Sequence, residues 1–322
     1  MRAIVMSEFG PPEVLVELEV DVPRAATGEV LIEVELVNLT FVETQIRAGR
    51  PPRASMLPQL PAIPGNGVAG IVAAVGPGGD PGLVGVRVVS STGGSGAYAE
   101  FVAVPSAGLV IIPESVSTGD GLALLADGRT ALALIDRARL SAGQTVLVEA
   151  AAGGVGSLLV QLGKAAGARV IALAGGERKL ELARELGAQV AVDYTRETWI
   201  GEVIQAAGGR GVDVVFDGVG GVIGRAAFER LGPGGRYCAF GMASGSLAPI
   251  APEDARARGV TVLRGAPLDQ ADMARLTNLA LERAAAKRLR PVVGQTFPLA
   301  RAADAHQAIE DRATLGKTLL VT

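Results

Sequence analysis

The chain has 322 residues, 49% hydrophobic and 20% charged, which excludes a disordered polymer and suits two domains with sizeable cores. Thirty Lys and Arg against 33 Asp and Glu leave a net charge of −3, which argues against a nucleic-acid-binding or anionic-membrane-binding surface. One cysteine, Cys238, and one histidine, His306, exclude an intrachain disulfide and a zinc site built mainly from Cys and His.

The first ten residues, MRAIVMSEFG, carry Glu8 and no long apolar run, so they do not read as a secretory signal. No run of about 18 apolar residues lacks Gly, Pro or charge. With a single cysteine, this places the expected location in the cytoplasm. Residues 1 to 112 read as β-rich. Val30, Ile32, Val34 and Leu36 alternate with Leu31, Glu33, Glu35 and Val37, a period of two. Short apolar runs follow at 68–75, 84–89, 98–104 and 109–112, separated by Gly and Pro clusters such as Gly76-Pro77-Gly78-Gly79.

The pattern changes near residue 118. Strands are predicted at 145–149, 169–173, 190–193, 212–217, 236–240 and 260–263, with helical periods between most of them. Leu180, Ala183 and Leu186 share one helix face, and Gly187 stands at a C-cap position. Strand–helix alternation means a doubly wound parallel sheet. A helix over 270–289 leads to Pro291 and a last strand–helix–strand that ends at 318–321. The fold class is therefore α/β, with domains predicted at 1–117 plus 291–322 and at 118–290.

The strongest local signal follows the strand from Thr145. It runs Ala150-Ala151-Ala152-Gly153-Gly154-Val155-Gly156 and opens a helix. Gly153 and Gly154 let the backbone approach a pyrophosphate, Gly156 lets the helix pack on the strand, and the helix N-terminus offers N–H groups and positive potential. Ala151 replaces the first Gly of the usual GxGxxG, so the strand–turn–helix setting carries the reading. About 20 residues on, Ala174 stands where an NAD site has an acid, and Gly175-Gly176 leave space. Arg178 and Lys179 suit a 2′-phosphate, which favours NADP, or they form a solvated helix face. Glu177 opposes a phosphate if it points inward.

Several segments in order resemble one family. Pro61 to Val75-Gly76 resembles a PxxPGxxxxGxV segment, and 41–49 (FVETQIRAG) resembles PVETYIRSG. Gly128-Arg129-Thr130-Ala131 resembles GLTA. The 151–156 turn, 216–220 (FDGVG), 235–241 and Leu315-Gly316-Lys317 follow. Together they resemble the zinc-independent quinone oxidoreductases, the zeta-crystallin group of the medium-chain dehydrogenase/reductase superfamily. The resemblance implies a GroES-like β-rich catalytic domain, a Rossmann domain inserted before its last elements, NADPH between the two, and hydride transfer to a quinone or enone.

It also implies roles for individual residues. Thr130 faces the nicotinamide side. Ala152, Gly153, Gly154 and Val155 form the pyrophosphate turn. Lys179 pairs with the 2′-phosphate, Tyr194 packs beside it, and Gly175 and Gly176 occupy positions where the family has paired Ser near that phosphate. Val219, Phe240 and Gly241 flank the nicotinamide ribose, and Lys317 is a C-terminal cofactor contact. Positions that hold zinc ligands in zinc-dependent relatives are Thr40, Asn66 and Ala126, none a usual ligand. Thr40 and Gln45 replace an Asn and a Tyr common in the family. Thr40, Gln45 and Asn66 are the candidate carbonyl contacts, and none can act as an acid near neutral pH.

The expected function is NADPH-dependent reduction of a quinone or other conjugated carbonyl without metal. An enone or enoyl-thioester reductase is the alternative within the fold, and a non-catalytic NADPH-binding protein the alternative outside catalysis. An alcohol dehydrogenase is disfavoured because neither zinc nor a base is evident. Asp127 reads as a cleft acid beside Thr130 or as a helix cap, with the cap favoured, His306 as a packing or surface residue, Cys238 as a buried one, and Trp199 as packing a surface helix. An edge position for the 260–263 strand points to a homodimer.

Overall fold

The computed structural model describes residues 1–265 and 268–322. The chain opens with β1 (Arg2–Met6), β2 (Leu15–Glu19) and β3 (Glu29–Leu39), then α1 (Phe41–Arg47), β4 (Val68–Val75), β5 (Arg87–Ser90), β6 (Phe101–Pro105) and β7 (Val110–Ile111). Then come α2 (Thr118–Ala138), β8 (Thr145–Val148), α3 (Gly154–Ala165), β9 (Arg169–Ala174), α4 (Glu177–Leu186), β10 (Val190–Asp193), α5 (Trp199–Ala206) and β11 (Val212–Asp217). After these are α6 (Gly221–Phe228), β12 (Leu231–Ala239), α7 (Pro252–Ala257), β13 (Thr261–Arg264), α8 (Gln270–Ala285), β14 (Val293–Pro298), α9 (Ala302–Glu310) and β15 (Lys317–Val321). Two compact units result, Met1–Ala126 with Gln270–Thr322, and Asp127–Asp269. The change of sequence pattern at 117/118 and 290/291 thus lies outside the points where compactness changes over. Within the first unit, the Thr277 hydroxyl of α8 donates to the Leu125 carbonyl.

The first unit is built on a sheet in the order β14-β15-β3-β4-β5-β7, with β6 also on β3. Val30, Ile32 and Val34 of β3 face its core as the alternation predicts. The pairing with β4 then shifts between Val34 and Leu36, and Val37 becomes the buried residue. A bulge of this kind turns the side-chain parity over, which strict alternation cannot foresee. β15 pairs antiparallel with β3, so the chain terminus completes the sheet that its start began. Beside this core Arg47 is buried and bonded to Glu310 at 2.6 Å, which ties α1 to α9. His306 is buried as well, with Nε2 2.9 Å from the Tyr98 hydroxyl. Burial, and then the Arg47 charge, lower its pKa to about 3, so it is a neutral packing residue.

The second unit holds a parallel sheet in the order β10-β9-β8-β11-β12-β13. The order reverses between β8 and β11. In such sheets ligands bind outside the carboxyl ends of the strands at the point of reversal. Leu180, Ala183 and Leu186 are buried on one face of α4, and Gly187 closes the helix at φ 115°, a left-handed conformation that favours glycine. Trp199 opens α5 and packs it against the core beside Val203 and Val192. Cys238 is also buried, and desolvation pushes its thiol up to about 12. β13 forms one edge of the sheet, as predicted. Among the described residues no helix is long and apolar enough to cross a membrane.

Candidate functional site

The second unit gathers its predicted residues at the carboxyl ends of β8, β11 and β12. β8 ends at Val148, and Ala150 adopts a left-handed φ of 47°. Gly153 N–H then donates to the Ala150 carbonyl at 2.8 Å, which closes the turn in front of α3. Any Cβ at Gly156 would stand 2.1 Å from that same carbonyl oxygen, so α3 packs on the strand end only because this residue has no side chain. The first N–H groups of α3 lie at this turn, together with Ala152, Gly153, Gly154 and Val155.

Gly154 reveals a contact that the sequence did not. A Cβ there would lie 2.0 Å from Oδ2 of Asp127. Asp127 is not the cap of its own helix, because α2 runs uninterrupted from 118 to 138. It is an interior residue whose carboxylate abuts the start of α3. Thr130 lies half-buried on the same helix.

The loop after β11 is held from below. Asp217 is fully buried and accepts from the N–H groups of Val219 at 2.8 Å and Gly220 at 2.6 Å, and from the Tyr237 hydroxyl. Glu149 is fully buried beside it and accepts from Val219 N–H at 3.3 Å. Burial, then the hydrogen bond and charge of Asp217, push the Glu149 carboxyl well above the ordinary range. Phe240 and Gly241 both donate backbone N–H groups to the Asp217 carbonyl. The Phe240 ring lies against Gly218, so Val219, Phe240 and Gly241 meet the 150–154 turn at one end of the sheet.

The residues predicted for the 2′-phosphate sit at the ends of β9 and β10 and in the first turn of α4. Gly175 is half-buried and close to Tyr194, whose hydroxyl is 3.6 Å from where a Gly175 Cβ would be. Gly176 is exposed with open space around it, and its N–H donates to Asp193 at 3.2 Å. Lys179 is half-buried in the first turn of α4, whereas Arg178 is exposed. Glu177 is exposed and bonded to Arg184 at 2.5 Å, so it does not point inward against a phosphate. This set fits a dinucleotide. It offers a helix N-terminus for the pyrophosphate, glycine-lined room with an aromatic ring beside it, and a cation, in place of the acid that would bind a ribose diol.

In the first unit Thr40 and Asn66 are brought together by a residue the sequence did not single out as functional. Glu43 is buried in α1. Its Oε2 accepts from Thr40 N–H at 2.6 Å and from the Thr40 hydroxyl at 3.0 Å, and its Oε1 accepts from Asn66 N–H at 2.9 Å. Thr40-x-x-Glu43 is a capping box, a signal readable from spacing alone. Asn66 is exposed. Ser91 donates to its Oδ1 at 2.8 Å, which leaves the Nδ2 hydrogens as the donors this side chain can offer. Gln45 is not part of the cluster. It is buried, and its amide nitrogen bonds the Thr44 hydroxyl at 3.1 Å. Lys317 opens β15, is buried, and its charge acts on Glu43. Among the described residues no three His, Cys, Asp or Glu gather as a metal site. A hydroxyl at 40, an amide at 66 and Ala126 make a poor donor set for zinc.

Comparison with known proteins agrees with this architecture. Residues 26–114 match the alcohol dehydrogenase GroES-like domain, and residues 154–282 match the zinc-binding dehydrogenase family. The chain is 34% identical to the quinone oxidoreductase of Rattus norvegicus over 329 residues, covering 100% of this chain and 98% of the relative. It is 31% identical to a 2-haloacrylate reductase of Burkholderia sp over 330 residues, covering 100% and 99%. The solved structure of the mycobacterial protein Rv1454c complexed with NADPH superposes with a TM-score of 0.91 at 35% identity, covering all of both chains. The full-length identity and the shared two-part fold place this chain in the quinone oxidoreductase family of the medium-chain dehydrogenase/reductase superfamily.

Proposed function

We propose that this enzyme binds NADPH and reduces a quinone or other conjugated carbonyl without zinc. In this reading 118–290 supplies the cofactor side, and 1–117 with 291–322 supplies the acceptor side. The observation that carries it is the cofactor face of the second unit: a glycine turn at an α3 N-terminus, Ala174 where an NAD site has an acid with room at Gly175-Gly176, and Lys179 in the first turn of α4. The turn at 152–155 would hold the pyrophosphate, Lys179 and Tyr194 the 2′-phosphate end, and Val219, Phe240 and Gly241 the nicotinamide end, with Thr130 and Lys317 as further contacts. Bound NADPH supplies a hydride, and the protein supplies orientation and stabilisation of the charge that develops on the acceptor oxygen. Asn66 Nδ2 and the Thr40 hydroxyl are the donors for that oxygen. A second reading, reduction of an activated alkene, is supported by the likeness to a 2-haloacrylate reductase.

Titration with NADPH and with NADH, followed by reduced-nicotinamide fluorescence, tests the cofactor. NADPH is expected to bind at least about tenfold more tightly. Lys179→Ala should remove about 1–2 kcal/mol from NADPH alone, the usual worth of a charge-assisted phosphate contact. Equal loss for both cofactors would sink the role of Lys179. Turnover of a panel of quinones, 2-alkenals and enoyl thioesters then decides the acceptor class.

A homodimer joined through the edge strand β13 belongs to the same proposal. β13 is the terminal strand of the parallel sheet and pairs with β12 along one edge, which leaves the other edge for a partner strand. Light scattering at micromolar concentration should return twice the chain mass, and a monomer mass rejects the pairing.

A further inference from the structure

We propose that Glu43 stores the proton consumed in each turnover and that the Thr40 hydroxyl relays it to the acceptor oxygen. The inference rests on the reductase reading above. Three donors meet the Glu43 carboxyl: two backbone N–H groups, from Thr40 and Asn66, and the Thr40 hydroxyl at 3.0 Å. A peptide N–H cannot release its proton near neutral pH, whereas a hydroxyl gives one proton as it takes another. Glu43 is buried and Thr40 half-buried, so among these contacts the hydroxyl is the carboxyl's route outward. The same two backbone bonds hold Thr40 beside Asn66, the donor positioned for the acceptor carbonyl.

Groups from several elements face Glu43. Lys317 of β15 lowers its proton affinity, and Tyr98, whose hydroxyl is bonded to His306, lies near enough to feel its charge. Burial is the largest influence, and the net effect is a carboxyl that keeps its proton to higher pH than an exposed glutamate.

The step balances. The hydride electron pair ends in the new bond at the acceptor and leaves negative charge on the carbonyl oxygen. The Thr40 O–H bond breaks as the product O–H bond forms. The Glu43 O–H bond breaks as the Thr40 hydroxyl is restored. Glu43 is left as a carboxylate, and solvent returns one proton before the next turnover.

Thr40→Val is the sharpest test, because it keeps the backbone N–H bond to Glu43 and removes only the hydroxyl. With NADPH and a conjugated enone it is expected to lower kcat by about 10²-fold, the scale of a lost general acid, with little change in the KM for NADPH. Wild-type kcat should fall as pH rises through the ionisation of Glu43, and Thr40→Val and Glu43→Gln should both lose that limb. Thr40→Ser should recover most of the lost rate. Independently of turnover, the infrared difference between wild type and Glu43→Gln should show a protonated carboxyl band that titrates with the kinetic limb. An active wild type whose variants keep its rate and pH profile overturns the relay alone, as does an infrared difference lacking that band on the acidic limb. A wild type that reduces no quinone, enone or enoyl thioester overturns the reductase reading and takes the relay with it.

Discussion

Gly156→Ala is expected to abolish measurable NADPH binding and to cost about 3 kcal/mol of stability, the range of a severe steric insertion in a packed core. One methyl suffices because the added carbon would lie 2.1 Å from the Ala150 carbonyl oxygen and 3.0 Å from the Ala151 Cα, both backbone atoms. Relief requires moving either α3 or the turn. Moving the turn breaks the Gly153 N–H bond to Ala150 and disturbs a residue already held at a left-handed φ of 47°. The N–H groups offered to the pyrophosphate then lose their alignment. Gly201→Ala in α5 is the control, since nothing lies within 4 Å of an added Cβ there. It should leave binding intact and raise stability by up to about 1 kcal/mol, the helix propensity gained over glycine. Urea unfolding and nicotinamide fluorescence on both variants give the comparison. A Gly156→Ala protein that binds NADPH like wild type would remove the turn from the site.

The difference between those two glycines marks what a sequence can tell. Gly156 sits in a strand–turn–helix context that announces a close approach, and the structure supplies the atom it approaches. The parallel strands were readable because each is a short apolar run bounded by turn residues. β10 and β11 fall where predicted. β12 starts at Leu231 rather than Arg236, because Leu231 pairs with Val212 before a register shift carries the chain past Gly232-Pro233-Gly234-Gly235, which reads as a plain turn. The two buried carboxyl clusters were not readable as sites. Asn66 is 23 residues from Glu43, and Val219 is 70 from Glu149. Local periodicity carries no trace of such distant partners. The capping box at Thr40 and Glu43 hints at the first cluster. Nothing in the sequence marks Glu149, which follows an apolar strand as a surface residue would.

The Glu149 cluster carries the second large prediction, with two substitutions of opposite sign. Asp217→Ala should destabilise the second unit by about 3–5 kcal/mol, because it strands the buried N–H groups of Val219 and Gly220 and the Tyr237 hydroxyl together. It should also loosen the loop that presents Val219. Glu149→Gln should stabilise the protein at neutral pH. The folded state holds the Glu149 proton well above the ordinary carboxyl range, mainly through burial and then through Asp217, whereas the unfolded chain releases it near 4.5. Above that pH the folded state binds more protons than the unfolded one, so stability contributed by this group falls as pH rises. Glutamine is neutral at every pH and can donate to Asp217 while accepting from Val219, so it removes the penalty. The gain should be near zero at pH 4.5 and grow as pH rises, by at most about 1.4 kcal/mol per pH unit. Urea unfolding of wild type and Glu149→Gln from pH 5 to pH 8 measures the gap directly. A gap that stays constant or narrows as pH rises would mean that Glu149 is already ionised in the folded protein, and the protonated carboxyl beneath the Val219 loop would have to be abandoned.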